Sequence, residues 1–266
     1  MAIIWRLLTS RSAWPGVVLG VSLTLSAVLP ASAATFSVDP VSVTLPKSNS
    51  STSVAITNQS GQKLRLEITA FSWQESSAGE MQLKPTEDLI FFPRLLTLDP
   101  GETRRVRVGV TIPTGPVEKP FRLFMEELPS LESVVQPRGA SVTIRMKVGI
   151  PVFVSADGAP AIGGSVRDAV VRNGALSFDV LNTGNTHFSI QQVRVEGKNA
   201  AGAGVLSQQL SGWYLLAGGV RRFTIPLSKE RCSSLHSLAV AVRTDVTNFA
   251  NSFTDLDKQC GTVSQR

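Results

Sequence analysis

The chain has 266 residues, 42% hydrophobic and 17% charged, with a formal net charge of +6. That balance describes a slightly cationic protein, and the sequence has no run of Lys and Arg interleaved with aromatics that would point to nucleic acid. Two cysteines and two histidines make a poor ligand set, so no metal and no cofactor is expected.

The first 33 residues read as an export signal rather than as fold. Arg6 and Arg11 supply a positive start, Trp14 to Leu29 is mostly apolar, and Ala31-Ser32-Ala33 has the form of a cleavage site. The apolar stretch is short and interrupted by Pro15, with no stop-transfer segment after it, so no stable membrane insertion is expected. Removing residues 1–33 leaves 233, starting at Ala34, and lowers the charge to +4 because only Arg6 and Arg11 are lost. A chain of that length is long for one β-sandwich and enough for two of about 100 residues each.

Helical periodicity is nearly absent, and short alternating apolar segments follow one another between Gly, Pro, Asn and Asp. Thr52–Thr57, Leu64–Thr69 and Thr103–Val110 have the pattern of half-buried strands, with a turn at Asp99-Pro100-Gly101-Glu102. A loop of small residues, Ser155 to Ile162, then suits a domain boundary. Beyond it Ser177–Leu181, Phe188–Val195, Arg222–Leu227 and Leu238–Arg243 form a second series. The segments Val54–Gly61 and Phe178–Asn185 echo each other, each being a strand, an Asn-led turn containing Gly and a return strand. The predicted fold is therefore all-β, with residues 34–154 as one immunoglobulin-like sandwich, 155–162 as linker and 163–266 as a second.

Cys232 and Cys260 read as one disulfide in an exported chain, closing a loop of about 28 residues; two free thiols are the alternative. Catalytic patterns are missing: there is no G-x-S-x-G, H-E-x-x-H or P-loop. Adjacent Glu126 and Glu127 point to opposite faces of a strand, and His187 follows a turn where a solvated or locally bonded ring is ordinary. No enzyme is expected.

The segment Thr35–Val154 resembles the N-terminal domain of PapD-like pilus-assembly chaperones of the chaperone–usher family, in an archaic flavour. The resemblance is carried by the order of landmarks: Phe36-Ser-Val-Asp-Pro40, Val54-x-Ile-x-Asn58, Phe92-Pro93, Leu98-x-Pro100-Gly101, Phe121-Arg122-Leu123, Glu127-Leu128-Pro129 and Ile150-Pro151-Val152-Phe153-Val154. It implies two sandwiches in an L, a periplasmic location, pilus (fimbrial) subunits as clients and an outer-membrane usher as second partner. It leaves open whether the client-free protein self-associates. It also implies donor-strand complementation, the standing example of β-strand addition. In Ser141 to Val148 the residues Val142, Ile144, Met146 and Val148 share one face, and the resemblance makes that face the one lent to the client; by periodicity alone it is an ordinary half-buried strand.

The match has gaps. Two basic residues that anchor the client's C-terminal carboxylate in the better-known branch correspond to Ser42 and Pro151. A substitute cation is expected near the cleft, Arg122 first, Arg107 second and Arg145 or Lys147 third, although Arg122 also reads as a solvated strand arginine paired with Glu126. Arg107, Glu127 and Asp245 match members of an interdomain charge cluster whose remaining arginine position is Ser155. The competing reading is a secreted immunoglobulin-like adhesin or structural surface subunit.

Overall fold

A computed structural model describes residues 36–129 and 144–260. The predicted export signal, Ser141, Val142 and Thr143 lie outside the described residues. The first series of strands is β1 (Phe36–Asp39), β2 (Val43–Leu45), β3 (Ser51–Asn58), β4 (Leu64–Glu75), β5 (Met81–Pro85), β6 (Leu89–Phe92), β7 (Leu95–Leu98), β8 (Thr103–Val110), β9 (Lys119–Glu127) and β10 (Lys147–Val154). They make two facing sheets, β1-β3-β8-β6 and β2-β10-β9-β4-β5, with β7 also paired to β4. The alternation seen in the sequence is what closes them. Val54, Ile56, Val106 and Val108 point inward from one sheet, and Leu64, Leu66, Ile68, Leu123, Met125, Ile150 and Val152 from the other.

The second series is β11 (Gly164–Arg172), β12 (Ala175–Asn182), β13 (Phe188–Lys198), β14 (Gly204–Leu210), β15 (Tyr214–Leu215), β16 (Val220–Pro226), a short helix α1 (Lys229–Ser234), β17 (Ser237–Thr244), β18 (Asn248–Thr254) and β19 (Asp257–Lys258). Its sheets are β16-β12-β11-β19 and β14-β13-β17-β18, with β15 on β13. A separate core lies between them, including Phe178, Phe188, Val193, Val240 and Cys232. Cys232, carried inward by α1, is bonded to Cys260. Both sandwiches fall in one compact unit beginning at Ala34.

The repeated Asn-led turns have one physical cause. Asn58 closes β3, is buried, and donates to the Leu98, Asp99 and Gln62 carbonyls while accepting from Ser60 N. Asn182 closes β12 in the same way, donating to the Leu215 and Thr186 carbonyls and accepting from Gly184 N. Each amide side chain ties a strand end to a distant strand and satisfies backbone groups that the sandwich would otherwise bury unpaired.

Residues 155–163, between β10 and β11, contain no strand, but they are tied down. Asp157 pairs with Lys47 at 3.1 Å and accepts from the Thr114 hydroxyl, and Ala161 N donates to Asn185 Oδ1 at 2.8 Å. The linker of the sequence reading is thus stitched to both sandwiches.

Candidate functional site

The donor segment predicted at Ser141–Val148 overlaps the described strand only at its end, since β10 runs Lys147–Val154. It pairs antiparallel with β9 along its whole length, from Lys147↔Glu126 to Val154↔Lys119. On its other side β2 covers only Val152–Val154. Among the described residues, 147–151 therefore present one edge to which no strand is paired. An uncovered edge of this kind is a template for another strand.

The side chains around that edge divide into two sets. Val148, Ile150, Val152 and Val154 face the core, and Lys147, Gly149, Pro151 and Phe153 face away. Gly149 is required by its neighbour: a Cβ there would come within 2.4 Å of the Phe124 ring. Of the four predicted donor residues, Ile144 is 78% exposed, whereas Met146 and Val148 are half-buried against the first core. Val142 lies outside the described residues. Ile144 thus stands exposed before the start of β10, while Val148 is already committed to its own sandwich.

Arg122 lies on β9, one strand in from that edge, directly opposite Pro151 in the β9–β10 register. It is not the solvated arginine that its local sequence suggests. It is only 4% exposed, and its guanidinium carbon lies 3.9 Å over the Trp73 ring and 5.7 Å from that of Tyr214. Glu126, the partner suggested by sequence, pairs instead with Lys147 at 2.7 Å. Arg122 Nε and Nη2 and Trp73 Nε1 find no hydrogen-bond partner among the described residues. Each buried donor left without a partner costs about 1–3 kcal/mol. Burial pushes the Arg122 pKa down, opposed by Tyr214 and by the nearby Glu75 carboxylate. Burial pushes Glu75 up, opposed by the hydrogen bond from Leu216 N and by Arg221 and Arg122. This corner of the protein holds positive charge and unused donors away from water.

The surroundings are the joint between the two sandwiches. Trp73, Phe153 and Leu216 form a small third core, flanked by Leu83 and Tyr214. The His187 ring stacks on Phe153 with centroids 3.5 Å apart and planes within 9°. Its Nδ1 lies 2.7 Å from Glu118 Oε1, which also accepts from His187 N at 3.1 Å. His187, read from the sequence as solvated or locally bonded, is instead an interdomain contact, because the turn that carries it meets a carboxylate from the other sandwich. The β4–β5 hairpin adds a second clasp, with Arg222 N donating to Ser77 O at 2.7 Å and Gly79 packed so tightly that a Cβ would meet the Arg221 guanidinium at 2.8 Å.

The charge cluster expected from Arg107, Glu127 and Asp245 is not assembled. Arg107 is exposed on β8, between Ser53 and Phe92, in the sheet opposite the one that holds Glu127. Glu127 Oε2 accepts from Met146 N at 3.2 Å and so holds the start of the open edge. Asp245 caps the second sandwich by accepting from Ser189 N at 2.8 Å. Arg107 is thus also set aside as a cation for the cleft. Trp73, Phe153, Tyr214, His187 and Glu118 were not anticipated. The one available sign was the unbroken apolar run Ile150–Val154, which marks a strand buried on both faces.

Comparison with known proteins agrees with the two-sandwich fold. Residues 35–159 match the family described as pili and flagellar-assembly chaperone, PapD N-terminal domain. No curated protein is significantly similar to the chain. Among solved structures, the complex of the chaperone CsuC with the tip adhesion subunit CsuE, from the archaic chaperone–usher Csu pili of Acinetobacter baumannii, matches with a TM-score of 0.57 at 17% identity, covering 82% of this chain and 98% of that one. The class 5 fimbriae chaperone CfaA matches with a TM-score of 0.55 at 10% identity, covering 83% and 100%. The Salmonella enterica SafA pilin–SafB chaperone complex matches with a TM-score of 0.52 at 12% identity, covering 82% and 96%. The first sandwich is thus the matched N-terminal domain of pili and flagellar-assembly chaperones, and the chain as a whole shares the two-sandwich fold of these chaperone structures.

Proposed function

We propose that the protein is a periplasmic chaperone of the archaic chaperone–usher type, with residues 34–154 as its donor domain, 155–162 as linker and 163–266 as its second domain. It lends the open edge of β10 to a pilus subunit, with Ile144 and Val142 filling the subunit's apolar groove, and passes the subunit to an outer-membrane usher. Arg122 receives the subunit's C-terminal carboxylate. The observation that carries this reading is the state of Arg122: buried, beside Pro151 at the end of the open edge, with two guanidinium donors unused. A guanidinium held this way suits a carboxylate, whose two oxygens match its planar fork. The role of such a site is binding, with no bond made or broken.

The test is Arg122→Ala, co-expressed with a pilus subunit and measured by capture of that subunit. Loss of the partner of a buried carboxylate should weaken capture by about 2–5 kcal/mol. Folding should change little, because the lost stacking on Trp73 is offset by removing the unsatisfied donors. Undiminished capture by a well-folded Arg122→Ala protein would remove Arg122 from the site.

A further inference from the structure

The second sandwich presents one residue to the same corner that its own fold leaves uncovered. Tyr214, at the start of β15, turns its ring into the joint, 5.6 Å from Trp73 and 5.7 Å from the Arg122 guanidinium. The preceding residue, Trp213, sets its ring 5.6 Å from that of Tyr214 in an edge-on arrangement. Trp213 is 54% exposed, whereas Trp73 at the other side of Tyr214 is 2% exposed. The exposure does not come from a loose backbone. Ile190 N donates to Trp213 O at 2.9 Å, and Gly212 is pressed so closely on Ile190 that a Cβ would lie 2.4 Å from its side chain. The chain is pinned here while the indole is left in water, and tryptophan with this placement is over-represented where partners bind.

Distance then identifies what would cover it. The steps from Trp213 to Tyr214 and from Tyr214 to Arg122, laid end to end, bound the separation at about 11 Å. Extended chain advances about 3.3 Å per residue, so about three residues span that distance. We infer that Trp213 is the second sandwich's contact with the client, packing on an apolar side chain within the last three or four residues of the subunit's C-terminal strand. This rests on the reading that the strand ends with its carboxylate on Arg122. The client is thereby held from two sides: its carboxylate by the first sandwich and the apolar residue just before it by the second.

The experiment uses the protein from Ala34 onward, in which Trp73 and Trp213 are the tryptophans. The probe is a synthetic peptide of the C-terminal strand of a co-purified pilus subunit, made with a free carboxyl terminus and again amidated. Acrylamide should quench one accessible emission component in the free protein, and Trp213→Phe should remove it. On adding the free-acid peptide, that component should become shielded and move to shorter wavelength. Trp213→Ala should weaken binding of both peptides by about 10- to 30-fold without changing the melting temperature, while amidation should still weaken binding in that variant. If Trp213 stays quenchable in the complex and Trp213→Ala binds as the unaltered protein does, while amidation still weakens binding, the inference fails and the Arg122 reading stands. If amidation has no effect and Arg122→Ala binds normally, the Arg122 reading fails and takes this placement of Trp213 with it. Shielding of Trp213 that tracks protein concentration without any peptide would assign the indole to a second copy of the chain and overturn the inference.

Discussion

Phe153→Ala should separate two sandwiches that otherwise unfold together. The ring lies on the face of β10 that points away from the first core, fully buried, and belongs to neither sandwich's own interior. It stacks on His187 at 3.5 Å and lies 6.0 Å from Trp73 and 5.8 Å from Tyr214, so its contacts bridge both domains. Truncating a buried phenylalanine costs about 3–5 kcal/mol. Here little of that falls on either main core, because Ile150, Val152 and Val154 keep their places on the opposite face of the strand. The loss falls on the coupling, and it should also loosen His187 from Glu118. Urea unfolding of the protein from Ala34 onward carrying Trp213→Phe, followed by Trp73 fluorescence and by far-ultraviolet circular dichroism, provides the assay. The unaltered protein should give coincident transitions, whereas in Phe153→Ala the fluorescence change should come first, with the denaturant slope of each step reduced. Coincident transitions in the variant, shifted together and with the original slope, would refute the claim that this ring couples the domains.

Two further outcomes follow from the edge and the joint. Ile144→Asp should leave stability within about 0.5 kcal/mol, since the side chain is exposed in the free protein, yet abolish subunit capture by placing an unpaired charge in an apolar groove. Arg145→Asp, on the other face, should be much milder in the same capture assay, and equal losses would mean that the segment has no donor face. Glu75 should make stability depend on pH. Burial raises its pKa in the folded state, so over the range between the ordinary carboxyl value and that raised value the folded protein binds more protons than the unfolded chain. Its contribution is therefore greatest below the ordinary carboxyl range and is lost as pH rises through the folded value. Urea midpoints taken across that range should show the fall in the unaltered protein and a flatter profile in Glu75→Gln.

How much of this was legible in the sequence depended on whether the cause was local. Strand β8 was readable residue by residue because Val106 and Val108 alternate with arginines that stay in water. The echo around Asn58 and Asn182 was readable for a similar reason: each amide serves its own turn as well as a distant strand. The proposed donor face was visible as a period of two, but not the point where it leaves the core, because Val148 and Ile144 look alike until the sandwich that covers one of them is built. The joint was illegible. His187 and Glu118 are 69 positions apart, and nothing beside either residue signals the other. The matched positions Arg107, Glu127 and Asp245 carried charge but not geometry, and the two sheets of the sandwich hold the first two apart.

The proposed carboxylate anchor would keep the role of the family's basic pair while moving it to another residue. Pro151 carries no charge, and its φ and missing N–H suit a position whose outer side meets no strand among the described residues. In the β9–β10 register the residue across from Pro151 is Arg122, whose side chain leaves the same face of the sheet. A cation on the inner strand can therefore serve the place where the edge strand has none. The inner position makes different demands. An arginine at the edge would be solvated when empty, whereas Arg122 is enclosed by Trp73 and Tyr214 and keeps two donors unsatisfied. On the proposed reading, that standing cost of about 1–3 kcal/mol per donor is relieved when the client's carboxylate arrives. Binding at this site should accordingly stabilise the joint as well as the client, so a chaperone carrying its subunit should resist separation of its two sandwiches more strongly than the free protein does.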